Sequence, residues 1–549
     1  MALGVASDGA AIQAHEFAYR RSADQDAPTP VRHPVVVVGA GPVGLSLAID
    51  LAQRGQRVLL LDNDHRLSSG SRAICFAKRT LEIWDRLGVG DAMCAKGVQW
   101  HVGLVYFKDR EVYRFDLLPD TGHERPAFIN LQQFYAEAYL ALRAAELAGI
   151  ELRWKNNVVA CDPRDDSVRL QVDTPDGRYT IDADYVIACD GSRSPLRGML
   201  GLETQGRVFR DRFLIADITM DAPDFPAERR FWFDPPFHPA FSVLLHKQAD
   251  GTWRVDFQLG WDADPELEKR HDRIAPRVRA MLDSIGAQAV DFTIGWASVY
   301  TFACQRMQRF AHGGRVLFAG DSAHGVSPFG ARGANSGVQD ADNLGWKLAR
   351  VLRGDAPAAL LDSYAIEREA AADENILNST RSTDFITPKS AVSRLFRDAA
   401  LDLAREHAFA RRIVNSGRLS LPSCYRESPL NTPHADEDGW PAELCPGAPA
   451  ADAPLYRDGA ATWLLRELGP EFTLLVFGPA PSWAADLPVK VLAIDDRLAD
   501  TEGWATRRYG AQPGSAYLIR PDQHVCARWR APNAERVRAA WARAQGMPT

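Results

Sequence analysis

The chain has 549 residues, 46% hydrophobic and 25% charged, enough to bury a large core without disulfides or metals. Its 64 Lys and Arg against 71 Asp and Glu leave a net charge of −7, which argues against a nucleic-acid partner, since such proteins carry a basic footprint. Eight cysteines form no Cys-x-x-Cys pair, so zinc ligation and dithiol exchange lack their spacing; no run reaches the roughly 18 apolar residues of a membrane helix.

No metal, no membrane partner and a cytoplasmic place are therefore the expectations. Residues 1–33 are polar and aperiodic and read as a flexible tail. The first element is Pro34-Val35-Val36-Val37-Val38, a β-branched run suited to a strand buried on both faces. It enters Gly39-Ala40-Gly41-Pro42-Val43-Gly44, then a helix over 45–54 and a second buried strand over 57–62, which together make a β-α-β unit. Asp184-Tyr185-Val186-Ile187-Ala188-Cys189-Asp190-Gly191 and Arg315-Val316-Leu317-Phe318-Ala319-Gly320-Asp321 each read as a strand ending in a turn of the same domain.

Between these two segments the pattern alternates, as in Phe241-Ser242-Val243-Leu244-Leu245 and Trp253-Arg254-Val255-Asp256-Phe257. That predicts an antiparallel sheet inserted into the nucleotide domain, with one face free to cover a ligand. Residues 336–415 read as helical, and a Pro-rich stretch near 418–455 reads as a linker. Three further strands over 472–477, 489–494 and 516–520, with a helix over 532–546, form a small α/β unit. The expected division is 34–204 with 301–385 for the nucleotide domain, 205–300 for the inserted sheet, 386–449 for a helical segment and linker, and 450–549 for the last domain.

In Gly39-x-Gly41-x-x-Gly44 the glycines allow a tight turn, close backbone approach to a pyrophosphate and close helix–sheet packing. The helix N-terminus offers free N–H groups to the diphosphate, and Asp62, closing the second strand, can accept from a ribose diol. A 2′-phosphate beside Asp62 would be repelled. FAD and NAD both fit this motif, and by itself it does not choose between them.

Cys189-Asp190-Gly191-Ser192-Arg193-Ser194-Pro195-Leu196-Arg197 and Gly320-Asp321-Ser322-Ala323-His324 through Asn343 resemble the signatures of the aromatic hydroxylase family of flavoprotein monooxygenases, the group like para-hydroxybenzoate hydroxylase. The resemblance spans roughly 34–385 with three motifs in order. It implies an α/β architecture: a Rossmann-like FAD-binding domain with an inserted antiparallel-sheet substrate domain. It also implies tightly but non-covalently bound FAD, and NAD(P)H as a transient co-substrate. The reaction implied is hydroxylation of a phenolic compound with O2 through a flavin C4a-hydroperoxide. The cofactor contacts implied are Gly39, Ala40, Gly41, Pro42, Gly44, Asp62, Arg72, Gln133, Val158, Asp190, Gly320, Asp321, Pro328, Gly333, Ala334 and Asn335. The plainer readings are a surface arginine for Arg72, a helix-start glutamine for Gln133 and an ordinary strand valine for Val158.

The family's Pro-Pro-x-x-Gly-Gln-Gly-x-Asn stretch is here Ser327-Pro328-Phe329-Gly330-Ala331-Arg332-Gly333-Ala334-Asn335. Arg332 thus replaces the usual glutamine with a permanent cation near the flavin or the substrate, and is carried forward as a candidate catalytic residue. The residues from about 450 resemble the thioredoxin-like C-terminal domain of the phenol hydroxylase branch, closest to enzymes of 3-(3-hydroxyphenyl)propionate-like acids. No redox Cys-x-x-Cys is present there, so its role is structural or oligomeric, and the family expectation is a homodimer.

The inserted sheet should supply a substrate pocket from Phe213, His238, Phe241, Trp296 and Tyr300, with His246 as a base or relay whose ordinary pKa lies near working pH. The alternative for His246 is a solvent-facing histidine at a strand end. His324 reads as packing or hydrogen bonding near the diphosphate. Competing readings are oxidative decarboxylation of a hydroxybenzoate, hydroxylation of a polycyclic aromatic, an NAD-dependent dehydrogenase, and a flavin-binding protein without turnover.

Overall fold

The structure, a computed structural model, describes residues 8–69, 73–222, 224–414, 419, 421–433 and 439–547. Its first layer is a sheet in which Val316–Phe318, Gly177–Ala188, Val31–Val38, Val58–Leu61 and Ile150–Arg153 run parallel, side by side. Val35, Val36 and Val37 are fully buried, which explains the unbroken apolar run: both faces of such a sheet are covered. The helices Pro42–Gln53 and Gly333–Arg353 pack together at backbone distance. A Cβ on Gly337 would lie 2.7 Å from a methyl of Val43, and one on Gly345 would lie 2.0 Å from the Asp50 carboxylate.

Residues 8–30 are not a free tail. The helix Gly9–Ala14 buries Ile12 in the core, and the Phe17 ring stacks on Trp154 at 4.2 Å. Asp24 accepts from Arg153 at 2.7 Å and lies 2.8 Å from His33 Nε2. Val31 already pairs with Ile181, three residues before the apolar run begins. Two irregularly spaced apolar anchors carry this segment, and they have no periodicity to read.

The second layer is a seven-stranded sheet in the order Phe292–Tyr300, Arg212–Met220, Thr252–Leu259, Ser242–Lys247, Arg229–Phe233, Val102–Phe107, Arg110–Asp116. This corrects the expected insert in two ways. The last two strands come from outside 205–300, and Arg229–Phe233 pairs with Val102–Phe107 in parallel, so the sheet is not wholly antiparallel. Which strand closes an edge is a non-local choice that alternation within one strand does not encode. One face packs Trp253, Val255 and Phe257 against Ile274, Val278 and Met281 of the helix His271–Ser284. The other face turns toward the nucleotide domain.

The C-terminal sheet runs Lys490–Ile494, Thr473–Phe477, Ala516–Ile519, Val525–Trp529, the first pair parallel and the others antiparallel, a thioredoxin-like order. It is fixed to the rest by a buried ionic cluster. Glu367 accepts from Lys347 at 2.8 Å, from Arg520 at 2.6 and 3.0 Å and from Ser428 at 2.5 Å, while Arg520 also pairs with Asp522. The cations Arg520 and Lys347 outweigh burial and hold the Glu367 carboxyl well below its ordinary range. Among the described residues no helix is long and apolar enough to cross a membrane, and no group of His, Cys, Asp and Glu could hold a metal ion.

Candidate active site

Three motif turns follow three adjacent parallel strands: Gly39–Gly44 after Val31–Val38, Asp190-Gly191 after Gly177–Ala188, and Gly320-Asp321 after Val316–Phe318. Adjacent strands place their carboxyl ends together, and ligands of open α/β sheets bind in the crevice outside those ends. Gly39 has φ +106°, and a Cβ there would lie 2.4 Å from the Cys189 carbonyl. A Cβ on Gly44 would stand 1.9 Å from the Gly39 carbonyl oxygen. At Gly41, by contrast, a Cβ would meet nothing within 4 Å. That gap opens at the first turn of Pro42–Gln53, which has no side-chain cap, so unclaimed N–H groups face the space a diphosphate requires.

The rim of this crevice is polar. Asp62 accepts from the N–H of Ala40 at 2.6 Å and of Asp64 at 2.8 Å, and burial pushes its carboxyl above the ordinary range. Asp190 Oδ2 accepts from Leu196 N at 3.0 Å, while its enclosed Oδ1 has no hydrogen-bond partner among the described residues. Val43 packs against Gly320, whose N–H donates to Asp340 Oδ2 at 2.8 Å, and Asp321 is exposed beside it. An unfilled cradle at Gly41 and an orphaned acceptor on Asp190 fit a dinucleotide. His324 Nε2 lies 2.7 Å from Asp340 Oδ2, and Arg368 Nε donates to Asp340 Oδ1 at 2.5 Å. Asp340, in the helix after the loop, therefore anchors the Gly320 turn from behind.

The loop from Pro328 leads into the helix Gly333–Arg353, which also lacks a side-chain cap. The N–H groups of Gly333 and Ala334 have no acceptor within the helix and suit the carbonyl edge of a flavin ring. Gly330 and Ala331 both take positive φ, +103° and +54°. Asn335 pins this shape: Oδ1 accepts from Ala77 N at 2.8 Å and Thr80 Oγ1 at 2.7 Å, and Nδ2 donates to the carbonyls of Cys75 at 2.9 Å and Ala331 at 2.6 Å. Arg332 is buried and donates to Asn375 Oδ1 at 3.2 Å. This bond ties the loop to the helix Asp362–Ile386.

Gln133 accepts from Ala73 N at 3.1 Å and donates to Glu137 at 2.7 Å, and Glu137 accepts from Ser68 N at 2.7 Å. The pair thus clasps the chain on either side of 70–72. Arg72 itself lies outside the described residues. Val158 is a buried strand residue paired with Val172.

Strand register maps the sheet face opposite the loop. One rung holds His246, Arg254, Asp217 and Trp296; the next holds Phe231, Leu244, Asp256, Ile215 and Ser298; the third holds Phe233, Ser242, Gln258, Phe213 and Tyr300. Phe213 meets Phe329 of the loop edge-on at 4.9 Å. Of the expected pocket residues, Phe213, Trp296 and Tyr300 share this face, with Tyr300 43% exposed at the edge strand. His238 and Phe241 do not share it. His238 hydrogen-bonds the Gln258 carbonyl at 2.6 Å and packs against Phe257 on the helix-covered side, and Phe241 lines a separate cleft of about 230 Å³ with Lys389 and Arg394. Both precede the strand, where alternation does not assign a face.

His246 is neither solvent-facing nor a base near working pH. It is 4% exposed, edge-on to Trp100, and its Nδ1 has no hydrogen-bond partner among the described residues. Burial and the cations Arg229 and Arg254 push its pKa well below the ordinary value, which keeps it neutral. Residues not singled out beforehand include Arg229, Asp256, Cys75 and Asn130. The alternation of Arg254, Asp256 and Gln258 with Trp253, Val255 and Phe257 was the available signal: it leaves three polar side chains on one inward face.

These turns, loop and sheet define an FAD-binding oxidoreductase. Residues 32–379 match the family described as FAD binding domain, and the chain belongs to it. The chain is 32% identical over 523 residues to 6-methylpretetramide 4-monooxygenase of Streptomyces rimosus, with 90% of each covered. It is 31% identical over 393 residues to 3-(3-hydroxy-phenyl)propionate/3-hydroxycinnamic acid hydroxylase of Mycolicibacterium smegmatis, covering 72% of this chain and 68% of that one. The crystal structure of the flavin-dependent monooxygenase PieE in complex with FAD and substrate superposes with a TM-score of 0.80 at 25% identity, covering 95% of this chain and 100% of PieE. The protein is an enzyme of the FAD-dependent aromatic hydroxylase family.

Proposed function

We propose that the enzyme hydroxylates a phenolic aromatic compound, with NAD(P)H as transient reductant and O2 as oxygen source. The observation that carries this is the inward sheet face, polar at its centre and aromatic at its rim, set against the Pro328–Asn335 loop. When bound, FAD supplies the redox chemistry, accepting a hydride and delivering one atom of O2. The chain's own part is placement and exclusion. The Gly41 gap and the Pro42–Gln53 N-terminus hold the diphosphate, Asp62 and Asp321 the sugar hydroxyls, and the N–H groups of Gly333 and Ala334 the ring edge. Phe213, Phe302 and Phe329 close one end of the space and Phe231, Phe233 and Leu244 pack beside it, keeping water from the reacting atoms.

A fused-ring phenol is the second reading, favoured because similarity to 6-methylpretetramide 4-monooxygenase runs nearly the whole length of the chain. The flavin-loaded enzyme should be screened with single-ring phenolic acids and fused-ring phenols for stimulated NAD(P)H oxidation, with product mass read alongside. A product heavier by one oxygen supports the reading. Loss of carbon dioxide would point to oxidative decarboxylation, and no stimulation by any phenol would sink the proposal. Eight unpaired cysteines support a reducing, cytoplasmic place, and the family resemblance supports a homodimer, which sedimentation would decide.

A further inference from the structure

The central polar groups of the sheet face are unequally satisfied. Arg254 is committed: it binds both oxygens of Asp217 at 2.9 Å, and Gln248 adds a third bond to that carboxylate at 3.0 Å. Arg229 and Asp256 are not. Within the described residues neither makes a hydrogen bond or an ion pair, and Arg229 Nε and Asp256 Oδ1 are enclosed without a partner. They stand on strands separated only by Ser242–Lys247, roughly 10 Å apart at the backbone, with side chains on the same face. Cys75 places them under the flavin loop, because its carbonyl accepts from Asn335 while its thiol lies within the field of Arg229, Arg254 and Asp256. An unpaired cation and an unpaired carboxyl in a half-buried site are costly unless a ligand completes them.

Resting on the phenol hydroxylase reading above, we propose that Asp256 takes the phenolic proton of the substrate and that Arg229 holds the phenolate so formed. The phenol O–H bond breaks, its electron pair stays on the ring oxygen, and the proton bonds to the Asp256 carboxylate. Arg254 and Asp217 cancel as a pair and His246 is neutral, so Arg229 and ionised Asp256 sum to zero before the step. Arg229, phenolate and protonated Asp256 sum to zero after it. No net charge is buried at any point, and the ring is left electron-rich for attack.

The surrounding groups leave this role to Asp256. Burial pushes its carboxyl up to about 7, against the pull of Arg254 and Arg229 and with help from Asp217, so it can accept a proton near working pH. His246, facing it from the neighbouring strand, is too weakly basic. The Cys75 thiol is raised to about 12, and the buried Tyr113 hydroxyl is raised above its ordinary range; both stay protonated.

The test uses FAD-loaded enzyme and 4-nitrophenol, whose phenolate is coloured, with affinity and bound-state absorbance measured from pH 5 to 9. In the wild type the bound probe should be the coloured phenolate, and affinity should fall about tenfold per pH unit above the ionisations of both probe and Asp256, because the complex retains one proton. In Asp256→Asn the bound probe stays coloured but that alkaline fall disappears. In Arg229→Gln the bound probe is colourless and affinity drops at least tenfold, with Arg229→Lys recovering part of it. His246→Asn leaves the wild-type profile in place. The proposal is overturned by an Asp256→Asn variant that keeps the alkaline fall, by a colourless wild-type complex, or by holoenzyme that binds no probe at any pH. Phenol-stimulated NAD(P)H oxidation alongside any of these overturns this assignment alone, whereas its absence overturns the hydroxylase reading itself.

Discussion

Replacing Asn335 with alanine removes four hydrogen bonds at a position 1% exposed. Two donors, Ala77 N–H and the Thr80 hydroxyl, and two carbonyls, of Cys75 and Ala331, lose their partner in a space water does not reach. Each buried donor left unsatisfied costs about 1–3 kcal/mol, so the two together cost roughly 2–6 kcal/mol. At about 2–4 °C per kcal/mol for a cooperative unit of 150–250 residues, the fall in Tm should be roughly 4 °C or more. The functional loss should be larger than the stability loss implies, because the bond to Ala331 holds a non-glycine residue at φ +54° beside the proposed flavin edge. Asn335→Asp separates the two halves of the argument. A carboxylate still accepts from Ala77 and Thr80 but faces the two carbonyls with no donor, so it should lose FAD affinity while keeping part of the stability. The assays are thermal unfolding of the apoprotein and FAD titration by flavin fluorescence quenching. An Asn335→Ala protein with unchanged Tm and unchanged FAD affinity would refute the reasoning.

Gly44→Ala should abolish FAD uptake, since its methyl would sit 1.9 Å from the Gly39 carbonyl and neither backbone can yield; apoprotein purified colourless, against yellow wild type, checks this. Glu367→Gln should destabilise by about 3–5 kcal/mol, because Lys347 loses its buried counter-charge and Arg520 keeps only Asp522, and a chemical denaturation midpoint near that of wild type would contradict it. Asp256→Asn should stabilise flavin-free protein above neutral pH. The folded carboxyl, at about 7, lies above its unfolded value near 3.9, so its contribution is fully present in acid and is lost as pH rises through 7. Discounted for its partial exposure, about 1–2 kcal/mol separates variant from wild type at pH 8 and almost none at pH 4; equal melting curves at pH 8 would count against it.

The nucleotide half of the site was legible because its requirements are local. A strand buried on both faces has to be apolar throughout, and a turn with φ +106° followed by a helix start where a Cβ would stand 1.9 Å from the Gly39 carbonyl has to use glycine at Gly39 and Gly44. The substrate half was only partly legible. Alternation put Phe213, Trp296, Tyr300 and His246 on one face, yet it gave no account of burial around His246, which turned a titrating histidine into a neutral one. It missed Arg229 altogether, whose significance lies in having no hydrogen bond or ion pair among the described residues. The tail was misread for a related reason: Ile12 and Phe17 matter through Trp154 and the core they meet, not through any pattern between them.

The amino-acid sequence by itself determined the cofactor chemistry, since a dinucleotide is bound mainly by backbone groups, and backbone geometry is dictated by glycine, proline and apolar runs close together in the chain. Only the tertiary structure decided how the remaining charges are spent. It paired Arg254 with Asp217, turned Arg332 toward Asn375, enclosed His246, and set Arg229 and Asp256 on one sheet face with no hydrogen bond or ion pair among the described residues. A side chain's charge state and availability depend on what burial and distant strands bring to it, and no spacing along the chain records that.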